Sequence, residues 1–169
     1  MIAAVPTTSR SQRLAPWVST AVRLLLAGVF LAAGAIKAID PASSVAAVRA
    51  YELLPPSLET LVGWGLPFAE IALGLLLVIG AFTRALAVAS ALVLLTFIAA
   101  VVSAAVRGLS IDCGCFGGGG AVAPGQTRYT GEILRDTGLL LLALWLVWHP
   151  RSRFALEPAP THDREEDPR

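Results

Sequence analysis

The segment 85–106, ALAVASALVLLTFIAAVVSAAV, decides the fold class, because its 22 residues include no ionisable side chain. A helix needs about 20 apolar residues to cross the roughly 30 Å hydrocarbon core of a bilayer. Backbone groups in lipid must form their hydrogen bonds within the segment itself. A run of this length and composition therefore predicts a membrane-spanning helix.

Three further apolar runs accompany this segment, at about 17–38, 62–82 and 133–148. The chain is 56% hydrophobic and 15% charged, with a mean hydropathy of +0.71, so it is far more apolar than a soluble domain. We predict an all-α integral membrane protein, a four-transmembrane-helix bundle with a Gly-rich Cys-x-Cys outer loop. It forms one membrane domain, 16–149, between an N-terminal tail, 1–15, and a disordered C-terminal tail, 150–169.

Charge indicates the partners and the orientation of this bundle. The formal net charge of +1 gives no reason to expect nucleic acid, and the lipid bilayer is the partner that composition implies. Lys and Arg favour cytoplasmic flanks, and the basic pairs near both termini favour cytoplasmic termini. The inner flanks then hold Arg10, Arg13, Arg84, Arg151 and Arg153, and the outer loops hold Lys37, Arg49, Arg107 and Arg128.

The first outer loop is expected to contain a short interfacial helix. Pro41 suits a first helical position, and apolar residues follow it at helical spacing up to Leu54. The pair Pro55-Pro56 then ends this helix.

Both cysteines of the chain lie one residue apart in the second outer loop, within the segment 112–117, DCGCFG. A bridge between Cys113 and Cys115 closes almost no loop, so it stabilises the fold very little. Such a bridge is expected to be strained and therefore exchangeable. In an oxidising outer compartment the pair predicts catalytic thiol–disulfide chemistry.

Two other interpretations of the cysteines stay open. The loop is then either a non-catalytic assembly or scaffold element that docks a partner, or a site that handles a soft metal such as copper. Two thiolates leave a zinc ion two ligands short, so no metal site is assigned.

Four polar residues are expected to support the cysteines. Glu70 lies inside the second apolar run, where a carboxylate is costly and marks a functional or paired site. Arg135 enters the fourth run at a similar depth, so a Glu70–Arg135 ion pair is expected, and Lys37 is placed to join it. Asp112, beside Cys113, is a candidate base.

These residues together resemble a known family. The pattern Arg23…Gly28…Gly34…Lys37 resembles the first span of DoxX-like membrane proteins. The patterns Leu66-Pro67…Glu70…Gly74, Cys113-Gly-Cys115-Phe-Gly117 and Arg135-Asp136 resemble the MauE (methylamine utilisation) branch of that superfamily. The resemblance extends from about Val18 to Val147.

The resemblance implies a redox-associated protein of the bacterial plasma membrane. It implies an extracytoplasmic thioredoxin-like partner or a disulfide-containing substrate protein, with a role in the maturation of methylamine dehydrogenase or another such redox protein. The four-span pattern is also similar to that of quinone-linked disulfide-forming enzymes, which use two cysteine pairs. Because this chain has one pair, a quinone is a candidate cofactor only if that pair does both jobs or a partner supplies the second.

Overall fold

The computed structural model describes residues 10–150, and the helical prediction is confirmed over this range. In chain order the elements are α1 (Arg10–Ile39), α2 (Pro41–Ala50), α3 (Pro56–Ile79), α4 (Thr83–Val106), β1 (Ile111–Asp112), β2 (Gly120–Ala121) and α5 (Tyr129–Trp148). The two strands form one short antiparallel ladder, with Ile111 opposite Ala121 and Asp112 opposite Gly120.

Three helices are long and apolar enough to cross a membrane: the part of α1 from Ala15 to Ile39, then α3 and α4. The protein is thus a mostly helical membrane protein. The fourth predicted span, 133–148, falls within α5, which begins earlier at Tyr129. That helix carries Glu132, Arg135 and Asp136 in its first two turns, so its composition does not place it with the other three.

Helix α1 begins inside the segment predicted as a tail, since it starts at Arg10. The remainder of that tail and the predicted C-terminal tail beyond Pro150 lie outside the described residues.

The predicted short helix is present as α2, but it ends at Ala50, before the Pro55-Pro56 pair that was expected to end it. Asp40 caps it, because its carboxylate accepts a hydrogen bond from the Ser43 backbone N–H at 3.1 Å, and Pro41 occupies the first turn. The helix then packs closely on α3. Ser44 Oγ donates to the Gly63 carbonyl at 2.8 Å, and a Cβ at Gly63 would come within 2.6 Å of Val45.

Close contact between α1 and α3 fixes the register of these two helices. A Cβ at Gly34 would lie 2.7 Å from the Pro67 carbonyl oxygen, and a Cβ at Gly74 would lie 3.0 Å from the Ala27 carbonyl oxygen. Small residues at a helix crossing let backbones approach in this way. One turn beyond Gly34, this register brings Lys37 to the face of α3 that carries Glu70.

Buried side chains form two clusters along the bundle. The first, which we call the apolar cluster, joins α1, α3, α4 and α5 through Val22, Leu26, Ala27, Phe30, Leu77, Ala87, Ala91, Leu94, Ala143 and Leu146. The second contains Val101, Cys113 and Cys115, with Tyr51, Tyr129 and Ile133 packed against it. The cysteines are therefore part of the packed interior and do not project from the loop.

Candidate functional site

The conformation of the cysteine loop depends on glycine between the two cysteines. Gly114 has φ +67°, in the left-handed region that other residues rarely adopt. A Cβ at this position would also lie 2.6 Å from the Ala47 Cβ of α2. The chain therefore reverses direction between Cys113 and Cys115 while it rests on α2.

Two tyrosines hold this loop from opposite sides. The Tyr51 hydroxyl, at the end of α2, donates to the Cys113 carbonyl oxygen at 3.3 Å. The Tyr129 hydroxyl, at the start of α5, donates to the Leu109 carbonyl oxygen at 2.6 Å and accepts from the Ile111 N–H at 3.4 Å. Arg107 extends the network, since its guanidinium donates to the Tyr51 carbonyl oxygen. Sequence reasoning did not assign either tyrosine to the site.

The two cysteines are free thiols packed against each other. The Cys115 backbone N–H donates to Cys113 Sγ at 3.2 Å, and each residue is only 8% exposed. Asp112 precedes them in β1 with its side chain exposed, so it flanks the pair from the solvent side. The predicted catalytic residues thus lie side by side, shielded from solvent.

Helix α1 supplies the first charge near the thiols. Lys37 Nζ lies 2.5 Å from Glu70 Oε1, and the two side chains are 5% and 2% exposed. The expected Glu70–Arg135 pair is not formed between these described residues. The reason is the α1–α3 register set at Gly34, which gives Glu70 a closer basic partner than α5 offers.

Helix α5 supplies a second ion pair. Arg135 Nε lies 2.8 Å from Asp136 Oδ1, and its guanidinium lies 4.8 Å from the centroid of the Phe116 ring in the cysteine loop. Glu132, one turn before Asp136, is also buried. Asp136 and Glu132 complete the set of charges around the cysteines, and sequence reasoning had not singled them out as site residues.

We call Lys37, Glu70, Glu132, Arg135 and Asp136 the polar layer. One oxygen of each of its three carboxylates has no hydrogen-bond partner within residues 10–150. A cavity of about 20 Å³ is bordered by Glu70, Arg135, Asp136 and Cys115. That volume is enough for one water molecule. Three members of the polar layer therefore border the same small cavity as Cys115.

The surroundings make the two thiols unequal. Hydrogen bonding from the Cys113 thiol lowers the pKa of Cys115, and the charges of Arg135 and Lys37 lower it further. The same hydrogen bond, together with burial, raises the pKa of Cys113. Burial raises the pKa of Tyr51, and negative charge on the two cysteines raises it further. The Tyr51 hydroxyl therefore keeps its proton and stays a hydrogen-bond donor. Cys115 is thus favoured as the thiolate, and Cys113 as the thiol that holds the proton.

A second grouping near the thiols has the composition of a metal site. The candidate ligand atoms of Asp112, Cys113 and Glu132 all lie within 4.8 Å of one another. One sulfur and two carboxylates form a mixed donor set, which suits a borderline ion such as Zn²⁺ better than the soft Cu⁺ ion.

The residues of this site lie within a region that matches a known protein family. The family model described as methylamine utilisation protein MauE matches residues 15–149, well over half of the sequence. The chain belongs to the MauE family. The resemblance found in the sequence is thereby confirmed, and the matched range includes both cysteines and the whole polar layer.

One curated member of the MauE family can be compared directly with this chain. The methylamine utilization protein MauE of Paracoccus denitrificans is 37% identical over 105 residues, which cover 62% of this chain and 56% of that protein. The chain thus spans just over half the length of this relative. No solved structure matches the chain. Family membership links the chain to methylamine utilisation.

Proposed function

We propose that this protein is a thiol–disulfide relay in the bacterial plasma membrane, with Cys113 and Cys115 as the exchanging pair. The observation that carries the proposal is the packing of two free, unequal thiols beside the Lys37–Glu70 and Arg135–Asp136 pairs. An intramembrane charge is expensive and marks a functional site by default. Static cysteines need no such surroundings.

The roles follow from the inequality of the thiols. In the oxidised relay, a thiolate of the partner protein attacks Cys113 Sγ, and Cys115 leaves as the thiolate because the lower-pKa sulfur leaves faster. The partner's second thiolate then attacks its own sulfur in the mixed disulfide and releases Cys113, which takes up a proton. The partner loses two electrons and gains a disulfide, while the relay gains two electrons and becomes the dithiol once Cys115 has also taken up a proton.

The polar layer serves this exchange in two ways. Arg135 and Lys37 stabilise the Cys115 thiolate as it forms, which lowers the barrier to its departure. Glu70 borders the same small cavity as Cys115, so it is placed to accept the Cys115 proton when the pair is reoxidised. Glu70 is a proton carrier here and makes no covalent bond.

Family membership suggests which proteins the relay serves. We infer a role in methylamine utilisation through the maturation of a disulfide-containing extracytoplasmic protein, such as methylamine dehydrogenase. That protein, or a thioredoxin-like intermediary, is the expected partner.

The same proposal assigns α5 as a fourth span and places both termini in the cytoplasm and the cysteine loop outside. Helix α5 packs along α4 and α1, and its residues Ala143 and Leu146 lie inside the apolar cluster. Two of the four bases counted on the outer side, Lys37 and Arg49, are paired with Glu70 and Glu59. Their pairing reduces the free positive charge on the outer side, which supports the proposed orientation.

Exchange is tested with Cys113→Ser and Cys115→Ser. Each variant is expected to lose oxidation of a reduced thioredoxin-like substrate. When Cys115→Ser is mixed with the oxidised form of that partner, its Cys113 thiolate attacks the partner disulfide, and non-reducing gels are expected to resolve the mixed disulfide on Cys113. Ala121→Ser is the matched control, because it adds a hydroxyl at an exposed position of the same loop and leaves both sulfurs in place. Full activity in both cysteine variants would overturn the relay and favour the scaffold interpretation.

Topology is tested by labelling intact cells with an impermeant maleimide. In a chain that carries Cys113→Ser and Cys115→Ser, Ala121→Cys is expected to react from outside, and Phe82→Cys, in the α3–α4 turn, only after lysis. The reverse pattern would invert the proposed orientation. Labelling of both positions from one side would show that α4 does not cross the membrane.

Metal binding is a second candidate, because Asp112, Cys113 and Glu132 converge. Elemental analysis of purified protein distinguishes it from the relay. One bound ion per chain that Glu132→Gln abolishes would favour the metal site, whereas a metal-free protein that still exchanges disulfides would exclude it.

A further inference from the structure

A cavity of about 220 Å³ lies between the helices and the cysteine loop. Its walls come from α2, the segment that follows it, α3 and α4, and they are mostly apolar: Val48, Leu54, Val62, Leu66, Phe97 and Ala100. Both cysteines and Lys37 also border it. This volume is below the roughly 300–1,000 Å³ of pockets that enclose drug-sized ligands. It suits a single substituted ring whose tail extends beyond the cavity.

The cavity gives access to the sulfurs that the solvent side does not. Cys113 and Cys115 are each 8% exposed, and Tyr51, Tyr129 and Ile133 pack against their cluster. A protein thiol must displace part of the loop to reach them, whereas a small apolar molecule in the cavity meets both residues directly. The reactant that fits this access is apolar and exchanges two electrons.

We propose that this cavity binds the ring of a lipid-soluble quinone, which reoxidises the Cys113–Cys115 pair. This inference rests on the proposed relay function and names its electron acceptor. Two S–H bonds break, and one S–S bond forms between Cys113 and Cys115. The two electrons and two protons released convert the quinone to the hydroquinone, so atoms and charge balance. A single cysteine pair then serves the partner protein on the loop side and the quinone on the membrane side.

Lys37 gives the apolar cavity its positive charge. Its ammonium is held by Glu70 at 2.5 Å and lies 5.2 Å from the centroid of the Phe97 ring, which also forms part of the wall. A fixed cation beside a quinone stabilises the negative charge that develops on the ring oxygen during reduction. Glu70, paired with Lys37 and close to Cys115, connects the thiol that loses a proton to the oxygen that gains one.

The test uses purified full-length protein in nanodiscs, reduced and then mixed with decylubiquinone. We expect both thiols to be lost at a rate that saturates with quinone concentration, as measured by maleimide labelling. One hydroquinone should form per chain. Ala100→Phe fills the cavity and is expected to raise the quinone concentration for half-maximal rate by about tenfold or more. Ala99→Phe is the matched control, since the neighbouring residue on α4 is exposed and does not border the cavity.

A water-soluble oxidant separates this inference from the relay itself. Diamide is expected to oxidise wild type and Ala100→Phe at equal rates, which shows that the variant is folded with reactive thiols. If Ala100→Phe does not fold, quinone-induced thermal stabilisation of the Cys113→Ser, Cys115→Ser double variant provides the second measurement, because binding to the folded state raises Tm.

The outcomes lead to different conclusions. Thiols that react with diamide and with the partner protein, but not with quinone, would overturn the quinone site and leave the relay intact. Absence of quinone stabilisation together with a co-purified phospholipid in the cavity would assign the space to an acyl chain. Failure of partner exchange with normal quinone reduction would instead overturn the proposed relay.

Discussion

The apolar cluster and the polar layer occupy different parts of one bundle and obey different rules. The apolar cluster packs Leu26, Phe30 and Leu77 with small residues at helix contacts, and it contains no charge. The polar layer places four buried ionisable side chains and the partly exposed Arg135 beside two thiols. A bundle held together by packing alone needs only the first, and the proposed relay gives the second a function.

This contrast has a consequence for stability. In the apolar cluster, each side chain contributes through shape, and its loss leaves a cavity. In the polar layer, each charge depends on a partner, because an unpaired buried charge costs far more than the pair gains. Substitutions should therefore affect the two regions through different mechanisms.

The largest effect is expected from breaking the Lys37–Glu70 pair. Glu70→Gln leaves the buried ammonium without its carboxylate, and we expect a loss of roughly 3–5 kcal/mol in the free energy of unfolding. Lys37→Met should cost a similar amount. Unfolding titrations in mild detergent with increasing SDS measure both.

The double variant Lys37→Met, Glu70→Gln is the control for this pair. It removes both charges, so it is expected to be more stable than either single variant. Additive losses in the double variant would show that the two residues are independent, contrary to the structure.

The next largest effect is expected in the apolar cluster. Leu26→Ala removes a fully buried side chain and should cost about 2–5 kcal/mol. Maleimide reactivity of the cysteines should not change. Leu24→Ala, on the exposed face of the same helix, is the matched control and should cost much less. A large change in thiol reactivity in Leu26→Ala would show that the two regions are not separable.

The sequence predicted the apolar part of the fold because bilayer thickness sets helix length. Helices α1, α3 and α4 correspond to the predicted apolar runs 17–38, 62–82 and 85–106. Pro41 marked the start of α2 correctly. The predicted ends of the helices were less accurate. Hydropathy is insensitive to polar turns, so the starts of α1 at Arg10 and α5 at Tyr129 were missed.

The candidate site was only partly predictable. Cys113, Cys115, Glu70, Lys37 and Arg135 stood out because their residue types are rare in such surroundings. Their pairing was not predictable, because it depends on a helix register that Gly34 fixes through a close contact. The Arg135-Asp136 pattern marked Asp136 as part of the family resemblance but not as a site residue. Tyr51 lacked any distinguishing pattern, and only the fold brings both residues to the thiols.

A smaller effect is expected from Arg135. Its charge lowers the pKa of Cys115, so Arg135→Gln should raise that pKa and reduce the thiolate fraction at neutral pH. We expect alkylation of Cys115 by a small permeant reagent to slow by about three- to tenfold at neutral pH. The difference from wild type should disappear at high pH, where both proteins carry the thiolate. Mass spectrometry of the modified peptide measures this rate.

Arg128→Gln is the control for this pH profile. Arg128 is exposed at the start of α5 and does not contribute to the pKa shift of Cys115. The Arg128→Gln substitution removes a positive charge from the same end of α5 as Arg135→Gln does. Equal slowing of Cys115 alkylation in both variants would assign the effect to general electrostatics and not to the polar layer.

The smallest effect on stability is expected at the Arg49–Glu59 pair. This pair lies outside both the apolar cluster and the polar layer, so it is a reference for the comparison between them. Arg49 Nε lies 3.0 Å from Glu59 Oε2, but the Arg49 side chain is 62% exposed. Water screens the exposed Arg49 but has little access to the Glu59 side chain, which is 9% exposed, so Arg49→Gln should cost roughly 1–2 kcal/mol in the free energy of unfolding, less than Glu70→Gln. The same SDS titration measures it, and Glu70→Gln in that assay is the reference. If both substitutions cost the same, burial is not what makes the Lys37–Glu70 pair important, and the case for a functional polar layer weakens accordingly.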